Sequence, residues 1–460
     1  VGAALLGLAA CHGITREALR FSATGLALSS LDALVVDAAF FARLGWRRVG
    51  IYTRHPRARA DRLGGPGAAF AIIVPAWDEA AVIGAMLRRL TATLDYPNYH
   101  VFVGVYPNDA ATRSAVASVT DARISIATCV RPGPTTKADC LNHLWRAVVE
   151  HERQVGPFQA VVLHDAEDVV DAYELRVFDH LMPRLAMVQL PVEPLVDPES
   201  PWIAGHYLDE FAESHLKDVV IREGLGAGVP SAGVACAIRR DVLARIADAA
   251  GGLPFDADCL TEDYELGLKI KALGERTALV RIARPGGGVV ATREHFPADL
   301  KGALRQKTRW LLGIALGGWD RLGWRGGLAD RLMLVRDRKS IAAAFLTMVA
   351  YAVGALVLLD LVLAGLIPEM ARFAPLVVPG GILDWTLRFT TAALVWRLAM
   401  RAGCTAHVHG WREGLSSLPR AVVANFINAG AAWGAMQRYI EIRQGASIKW
   451  DKTEHRFPVE

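Results

Sequence analysis

One stretch limits this chain more than any other. Residues 341–367 read IAAAFLTMVAYAVGALVLLDLVLAGLI, 27 consecutive positions interrupted by a single charge, Asp360. As a helix rising about 1.5 Å per residue, the run reaches about 40 Å, more than the roughly 30 Å hydrocarbon core of a bilayer. Residues 382–400 form a second candidate span that contains Asp384, Arg388 and Arg397, and residues 21–44 a third that contains Asp32 and Asp37. Residues 421–440 are apolar but rich in small side chains, which suits a helix lying along the interface. The short apolar start, residues 1–10, has no basic segment before it and is not read as a cleaved signal peptide. These segments predict a membrane protein whose remaining residues form a large polar domain.

Charge and cysteine content narrow the classes further. The 460 residues hold 51 Lys and Arg against 47 Asp and Glu, a formal net charge of +4, too weak a bias for nucleic-acid binding. Charged residues make up 21% and hydrophobic ones 52%, which excludes disorder. The six cysteines are scattered and form no C-x-x-C pair, which argues against a zinc site or a disulfide framework. Arg47, Arg48, Arg54, Arg57, Arg59 and Arg62 follow the first apolar stretch, and Arg331, Arg336, Arg338 and Lys339 precede the long one. The positive-inside tendency places both edges of the polar domain in the cytoplasm. The expected organisation is a membrane anchor (1–48), a cytoplasmic domain (66–298), an amphipathic interface helix (299–325), transmembrane and interfacial helices (340–440) and a cytoplasmic tail (441–460). Three spans fit best, and a fourth is the alternative.

Inside the polar domain, apolar runs at residues 70–74, 100–105, 124–127 and 160–163 predict buried strands. Residues 79–94, 137–150 and 172–181 predict helices. Alternation of this kind implies an α/β fold with a mostly parallel sheet covered on both faces, and ligands of such sheets sit beyond the carboxyl ends of the strands. Those ends are acidic here. The first strand runs into Pro75-Ala76-Trp77-Asp78-Glu79, the second into Tyr106-Pro107-Asn108-Asp109, the fourth into His164-Asp165-Ala166-Glu167-Asp168. Carboxylates gathered at one sheet edge repel one another, and a divalent cation with bound phosphates would offset that cost. Helix capping is the plainer explanation for each taken singly.

Further along, Thr261-Glu262-Asp263 heads a predicted helix, where Thr261 is a candidate cap and the two acids favour the positive end of the dipole. Gln306, Arg309 and Trp310 fall at i, i+3 and i+4 on the next helix and share one face. An amide, a fixed cation and a flat aromatic suit a phosphorylated sugar, although an interfacial helix with Arg and Trp at the headgroups has the same pattern.

The order of these motifs resembles the inverting family-two glycosyltransferases of the GT-A fold, and within them the membrane-bound processive group. The resemblance rests on Asp109, Asp165, Thr261-Glu262-Asp263 and Gln306-Lys307-Thr308-Arg309-Trp310, with Pro75 to Glu79 and Lys137-Ala138-Asp139-Cys140-Leu141-Asn142 as supporting segments. Tyr106 to Asp109, His164 to Asp168 and Trp450 to His455 are similar to the NfrB-type phage-adsorption and exopolysaccharide group. Two departures stand out: Asp109 sits in P-N-D-A-A-T, and the metal motif reads Asp165-Ala166-Glu167 rather than D-x-D.

The resemblance implies a nucleotide-sugar donor, UDP-linked, with Pro75, Trp77, Glu79 and Asp109 around the base and ribose and Lys137 nearby. It implies Mg²⁺ or Mn²⁺ on Asp165, helped by Glu167, and Arg309 on the diphosphate. It makes Asp263 the general base with Glu262 beside it, places Asp165, Gln306, Arg309 and Trp310 at the nucleotide sugar, and puts Gly233 and Trp310 on the acceptor side. Trp450, Lys452, Thr453 and His455 would form a gating loop over the nucleotide; a basic tail near anionic lipid is the alternative. Further expectations are a glycan or lipid-linked acceptor, contact with membrane lipid, a multi-pass location in a bacterial inner membrane, and an outer-membrane export partner. Control by cyclic di-GMP would act through a C-terminal domain outside this sequence. Single-sugar transfer to a polyprenyl phosphate and a non-catalytic scaffold or phage-receptor role are the competing functions.

Overall fold

The computed structural model describes residues 2–446 and 455–458. Its centre is a seven-stranded sheet. In chain order the strands are β1 (Phe70–Pro75), β2 (Tyr99–Val105), β3 (Ile124–Thr128), β4 (Ala160–Leu163), β5 (Met187–Gln189), β7 (Cys236–Arg239) and β8 (Thr277–Leu279), while β6 (Val192–Pro194) and β9 (Thr292–Glu294) form a separate parallel pair. The spatial order is β3-β2-β1-β4-β7-β5-β8, with β7 antiparallel to both its neighbours and the other six strands running one way. The expected α/β, mostly parallel sheet is therefore present, with one reversed strand that the sequence reading did not anticipate.

Strands β1, β2 and β4 form because they are buried on both faces, which is why they read as unbroken apolar runs, whereas β3, at the sheet edge, is only partly buried. Along β1 the side chains alternate: Phe70, Ile72 and Val74 enter one core, and Ala71 and Ile73 enter the other. Helix Ile83–Thr93 covers the first face with Ile83, Met86, Leu87 and Leu90, and helix Lys137–Val155 covers the second with Leu141, Leu144, Trp145 and Val148.

Two helices, Leu5–Ile51 and Ser340–Leu366, are long and apolar enough to cross a membrane. They pack closely: a side chain at Gly25 would meet Leu346 at 2.8 Å. Asp360, the one charge in the longest apolar run, faces His12 across the pair at 2.9 Å, and the other His12 nitrogen lies 2.7 Å from the Ala374 carbonyl. An ionisable group at such depth is expected to be paired, and this one is. Asp32 and Asp37 are accounted for in the same way. Asp32 bonds Arg336 at 2.5 Å, and Asp37 takes the Lys217 ammonium at 2.6 Å and the Trp396 indole N–H at 2.9 Å. The second half of the amino-terminal helix thus runs beside the sheet domain's own helices, with Arg43 reaching Glu223 at 3.2 Å. Helix Ile382–His409, the other candidate span, is long enough but carries Asp384, Arg388, Arg397 and Arg401.

Helix Trp411–Arg443 explains the small residues at 421–440 differently from the interfacial expectation. Ala431, Ala432 and Ala435 are fully buried, and side chains at Gly430 and Gly434 would meet Leu304 and Thr308 at 2.8 and 2.9 Å. The small residues let this helix press against helix Leu300–Leu311, the element that carries Gln306, Arg309 and Trp310.

Candidate active site

Beyond the carboxyl ends of β1 and β4 lies a cavity of about 290 Å³. Pro75 and Glu79 reach it from the β1 loop, Lys137 from the first turn of its helix, and Asp165 and Glu167 from the β4 loop. Asp263 comes from helix Glu262–Ala272, Gln306, Arg309 and Trp310 from helix Leu300–Leu311, and His455 from the tail. Residues separated by almost 400 positions of sequence therefore share one chamber. Trp77, Asp109, Gly233 and Glu262 are not among the residues that line it.

Each of those four has a visible structural reason. Asp109 is committed on both oxygens: one caps helix Ala110–Ala117 through the Thr112 N–H at 3.1 Å, and the other accepts the Asp78 N–H at 2.6 Å. It clamps the β1 loop to the β2 loop. Trp77 lies edge-on to Tyr106, their centroids 5.0 Å apart, and packs over Gly133, where any side chain would strike its ring. Gly233, at φ +78°, lies against Asp263: a Cβ there would come within 2.6 Å of Asp263 Oδ2. Its missing side chain leaves room for that carboxylate. Glu262 is buried behind Asp263, and burial, Asp263 and the partly compensating Lys137 leave its carboxyl at about 7.

The expected metal pair parts company. Asp165 turns to Lys137, whose Nζ lies 2.8 Å from Oδ2. The longer arm of Glu167 carries its oxygen the other way, to His455 Nδ1 at 3.2 Å, and Glu79 meets the same nitrogen at 3.0 Å. Glu79, Glu167 and His455 offer ligand atoms that all lie within 4.8 Å of one another. Trp450, Lys452 and Thr453 fall outside the described residues. Thr261 does not cap its helix: its hydroxyl is buried with no hydrogen-bond partner among the described residues and packs against Gly313.

The electrostatics of the chamber are unbalanced. Six carboxylates line it (Glu79, Asp165, Glu167, Glu210, Asp263 and Glu294) against two fixed cations, Lys137 and Arg309, and His455. Burial pushes Glu167 up to about 8, opposed by His455 and reinforced by Asp165 and Glu79. Burial likewise raises Asp263, with Lys137 pulling the other way, and raises Glu294, where Asp168 and Glu167 add to it. Burial alone would lower the Lys137 ammonium, but Asp165, Glu262 and Asp263 hold it above its ordinary range. An oxygen-rich, over-acidic donor set with one imidazole fits a divalent cation.

Several contributors escaped the sequence reading. His164 is fully buried between Asp168 at 2.6 Å and Glu174 at 2.8 Å, and these acids, against the opposing effect of burial, raise it to about 10. Asp168 also accepts the Asp165 N–H at 3.1 Å, so this buried triplet fixes the β4 loop. Gln189 accepts the Ala232 N–H and donates to the Val234 carbonyl, both at 2.8 Å, and so shapes the loop holding Gly233. Trp310 stands in an aromatic wall with Tyr207, Phe211 and Phe296. Gln306 Oε1 is buried with no hydrogen-bond partner among the described residues, an acceptor left for something that enters the cavity.

Known proteins resemble this chain in sequence and in fold. "Bacteriophage adsorption protein B" of Escherichia coli (strain K12) is 36% identical over 453 residues, covering 94% of this chain and 60% of the relative. "Bacteriophage N4 adsorption protein B" of Escherichia coli O157:H7 matches to the same extent. The chain thus spans about 60% of the length of these curated relatives. Among solved structures, the mannosyltransferase PcManGT of Pyrobaculum calidifontis, in complex with GDP-Man and Mn²⁺, superposes with a TM-score of 0.50 at 16% identity, covering 91% of this chain and 99% of its own. That likeness speaks to the fold. The family described as "Glycosyltransferase like family 2" matches residues 66–313, from just before β1 through the Gln306-to-Trp310 turn, and the chain belongs to it.

Proposed function

We propose that this chain is an inverting glycosyltransferase of the processive type, moving a sugar from a UDP-linked donor to the end of a growing polysaccharide for export. It would work at the cytosolic face of a bacterial inner membrane, held there by several spans. One observation carries the reading: a candidate base, cations suited to a diphosphate, and an aromatic platform for a sugar open into the same chamber. These are Asp263, then Lys137 with Arg309, then Trp310 with Gln306.

The roles follow from the chemistry of each group. Asp263, raised by burial toward the range where a carboxylate accepts protons, takes the proton of the acceptor hydroxyl. The freed oxygen attacks the anomeric carbon as the bond to the diphosphate breaks on the opposite side, which inverts the centre. Lys137 and Arg309 draw the diphosphate in. Trp310 supports the apolar face of the acceptor's terminal sugar, and Gln306 Oε1 accepts one of its hydroxyls. Asp165 and Glu167, joined by Glu79 and His455, are the residues that would hold Mg²⁺ or Mn²⁺. When bound, the ion offsets the charge that builds on the departing diphosphate.

The direct test gives the purified chain a panel of UDP- and GDP-linked sugars with Mg²⁺ or Mn²⁺, and follows both nucleoside diphosphate release and product length. Release of UDP from one donor, loss of that release in EDTA, and products many sugars long are expected. Release from GDP-sugars alone would remove the UDP assignment, single-sugar lipid products would remove processivity, and no turnover with any donor would remove the reading.

Gly233→Ala separates positioning from binding. The new methyl would strain a positive-φ position and displace Asp263, and a misplacement of about 1 Å can cost on the order of 10²-fold in rate. The expected result is a kcat lowered about 10- to 100-fold, with donor affinity measured by titration unchanged. An equal loss of affinity would place Gly233 at the donor instead.

A further inference from the structure

A second cavity, of about 320 Å³, lies on the other side of the β6–β9 pair. In this two-stranded sheet the register pairs Glu193 with Arg293 and Pro194 with Glu294. Alternation along the strands sends Val192 and Glu294 into the catalytic chamber, and Glu193 and Arg293 into the second cavity. The two spaces therefore share one thin wall but no lining residue. The far side of the second cavity is closed by His407 and His409, at the end of helix Ile382–His409.

The charge inside is unsettled. Arg293 is answered by Glu193 at 2.7 Å. Arg281 is not: it makes no hydrogen bond or salt bridge among the described residues. Burial lowers its guanidinium, Glu193 opposes this, and Arg57, exposed and stacked on the Tyr52 ring, lowers it further. Arg57 also acts on His407. The Nε2 atom of His409 is sealed from solvent and has no hydrogen-bond partner among the described residues. Arg281, Arg293 and His409 thus line one space, Arg281 with no ion-pair partner among the described residues, and Arg57 adds positive charge nearby. The helix carboxyl end contributes roughly half a negative charge, which the guanidinium groups outweigh.

We infer that this cavity binds a phosphate-bearing ligand, a site separate from the catalytic chamber. A phosphate or diphosphate presents several acceptor oxygens at once, the arrangement a planar guanidinium grips through parallel N–H bonds and an imidazole N–H can complete. Its negative charge offsets the Arg281–Arg57 repulsion, and the cavity lies where the sheet domain meets the end of a membrane-associated helix. Both a soluble phosphate compound and an anionic lipid headgroup offer that chemistry.

Inorganic pyrophosphate is the probe, titrated calorimetrically into the full chain in EDTA, with Arg309→Gln reporting any binding in the catalytic chamber. Saturable binding is expected, weakened at least about 10-fold by Arg281→Gln and changed little by Arg309→Gln. Arg281→Lys, which keeps the charge but loses the planar fork, should weaken binding less than Arg281→Gln. It serves as the readout if Arg281→Gln does not fold, as judged by melting temperature, and it must then bind more weakly than the unaltered chain. Repeating the titration in nanodiscs of phosphatidylcholine, with and without phosphatidylglycerol, distinguishes the sources. Weaker binding only with phosphatidylglycerol assigns the site to a headgroup, and equal binding assigns it to a soluble phosphate. Absence of saturable binding, indifference to the Arg281 variants, or loss through Arg309→Gln would overturn the inference.

Discussion

Replacing Asp263 with asparagine lowers kcat by about 10²- to 10⁴-fold, the contribution of a positioned base, while donor affinity stays within a few fold. The expectation rests on where the side chain sits. Asp263 faces the chamber that holds Arg309, Lys137 and Trp310, whereas its neighbour Glu262 is buried behind it. Glu262→Gln should therefore cost much less, acting through the charge it presents to Asp263 and Lys137. Stability gives an independent check. The folded protein holds the Asp263 carboxyl above its ordinary range and Glu262 near 7, so both groups bind protons more tightly folded than unfolded. Their stabilising effect is complete at acid pH and is lost as pH rises through the folded values. At pH 8 the Asp263→Asn variant should melt no lower than the unaltered chain, and inactivity without unfolding separates a chemical role from a structural one. Full activity in Asp263→Asn with inactivity in Glu262→Gln would exchange the two assignments.

How much of this was readable beforehand follows from what kind of force fixes each element. Strands β1, β2 and β4 were legible because burial on both faces turns them into apolar runs, and β3, a half-exposed edge strand, by its alternation of Ile124 and Ile126 with Ser125. β5 and β8 have three residues each and β7 four, too short to show any period, and the direction of β7 is set by its neighbours rather than by its own side chains. In the site, Asp165 was legible from its place after a strand and the Gln306, Arg309 and Trp310 face from helical spacing, whereas Asp263 was marked out only by the family resemblance. Asp109 was not resolved, because a carboxylate after a strand looks the same whether it meets a nucleotide or caps the next helix. Here it caps and clamps. Glu167 differs from an aspartate by one methylene, and that added length is what takes it to Glu79 and His455. His164, Glu174, Gln189 and Glu294 carry no local signature, since their roles come from burial next to residues far away in sequence. The small residues at 421–440 were equally ambiguous: glycine and alanine suit close approach of another helix as well as an interface.

The largest expected stability effect lies away from the chemistry, at Arg420. This side chain is 1% exposed, among the largest that are fully buried, and it joins helix Trp411–Arg443 to helix Gly205–Glu213. Its guanidinium grips Asp209 twice, at 2.8 and 3.1 Å, and Glu413 once at 2.6 Å; Gly205 leaves the space it occupies. Asp209 also accepts the Thr405 hydroxyl at 3.1 Å. Removing only this cation leaves a fully buried carboxylate with Arg401, at 3.4 Å, as its remaining charge partner, a loss of up to about 3–5 kcal/mol. Arg420→Met should therefore lower the melting temperature by roughly 10 °C. Replacing both members, as Asp209→Leu with Arg420→Met, should recover most of that loss, because two buried charges exchanged for apolar groups are often neutral in sum. The double variant distinguishes an unpaired charge from a packing defect, since a packing defect would add rather than cancel. Activity should follow stability here. Helix Gly205–Glu213 also carries Glu210, tied to Lys307, and Phe211 of the aromatic wall, so loosening it slackens the chamber from behind. A single variant that melts within about 2 °C of the unaltered chain would show that water reaches Asp209, and that the junction between helices Gly205–Glu213 and Trp411–Arg443 is held elsewhere.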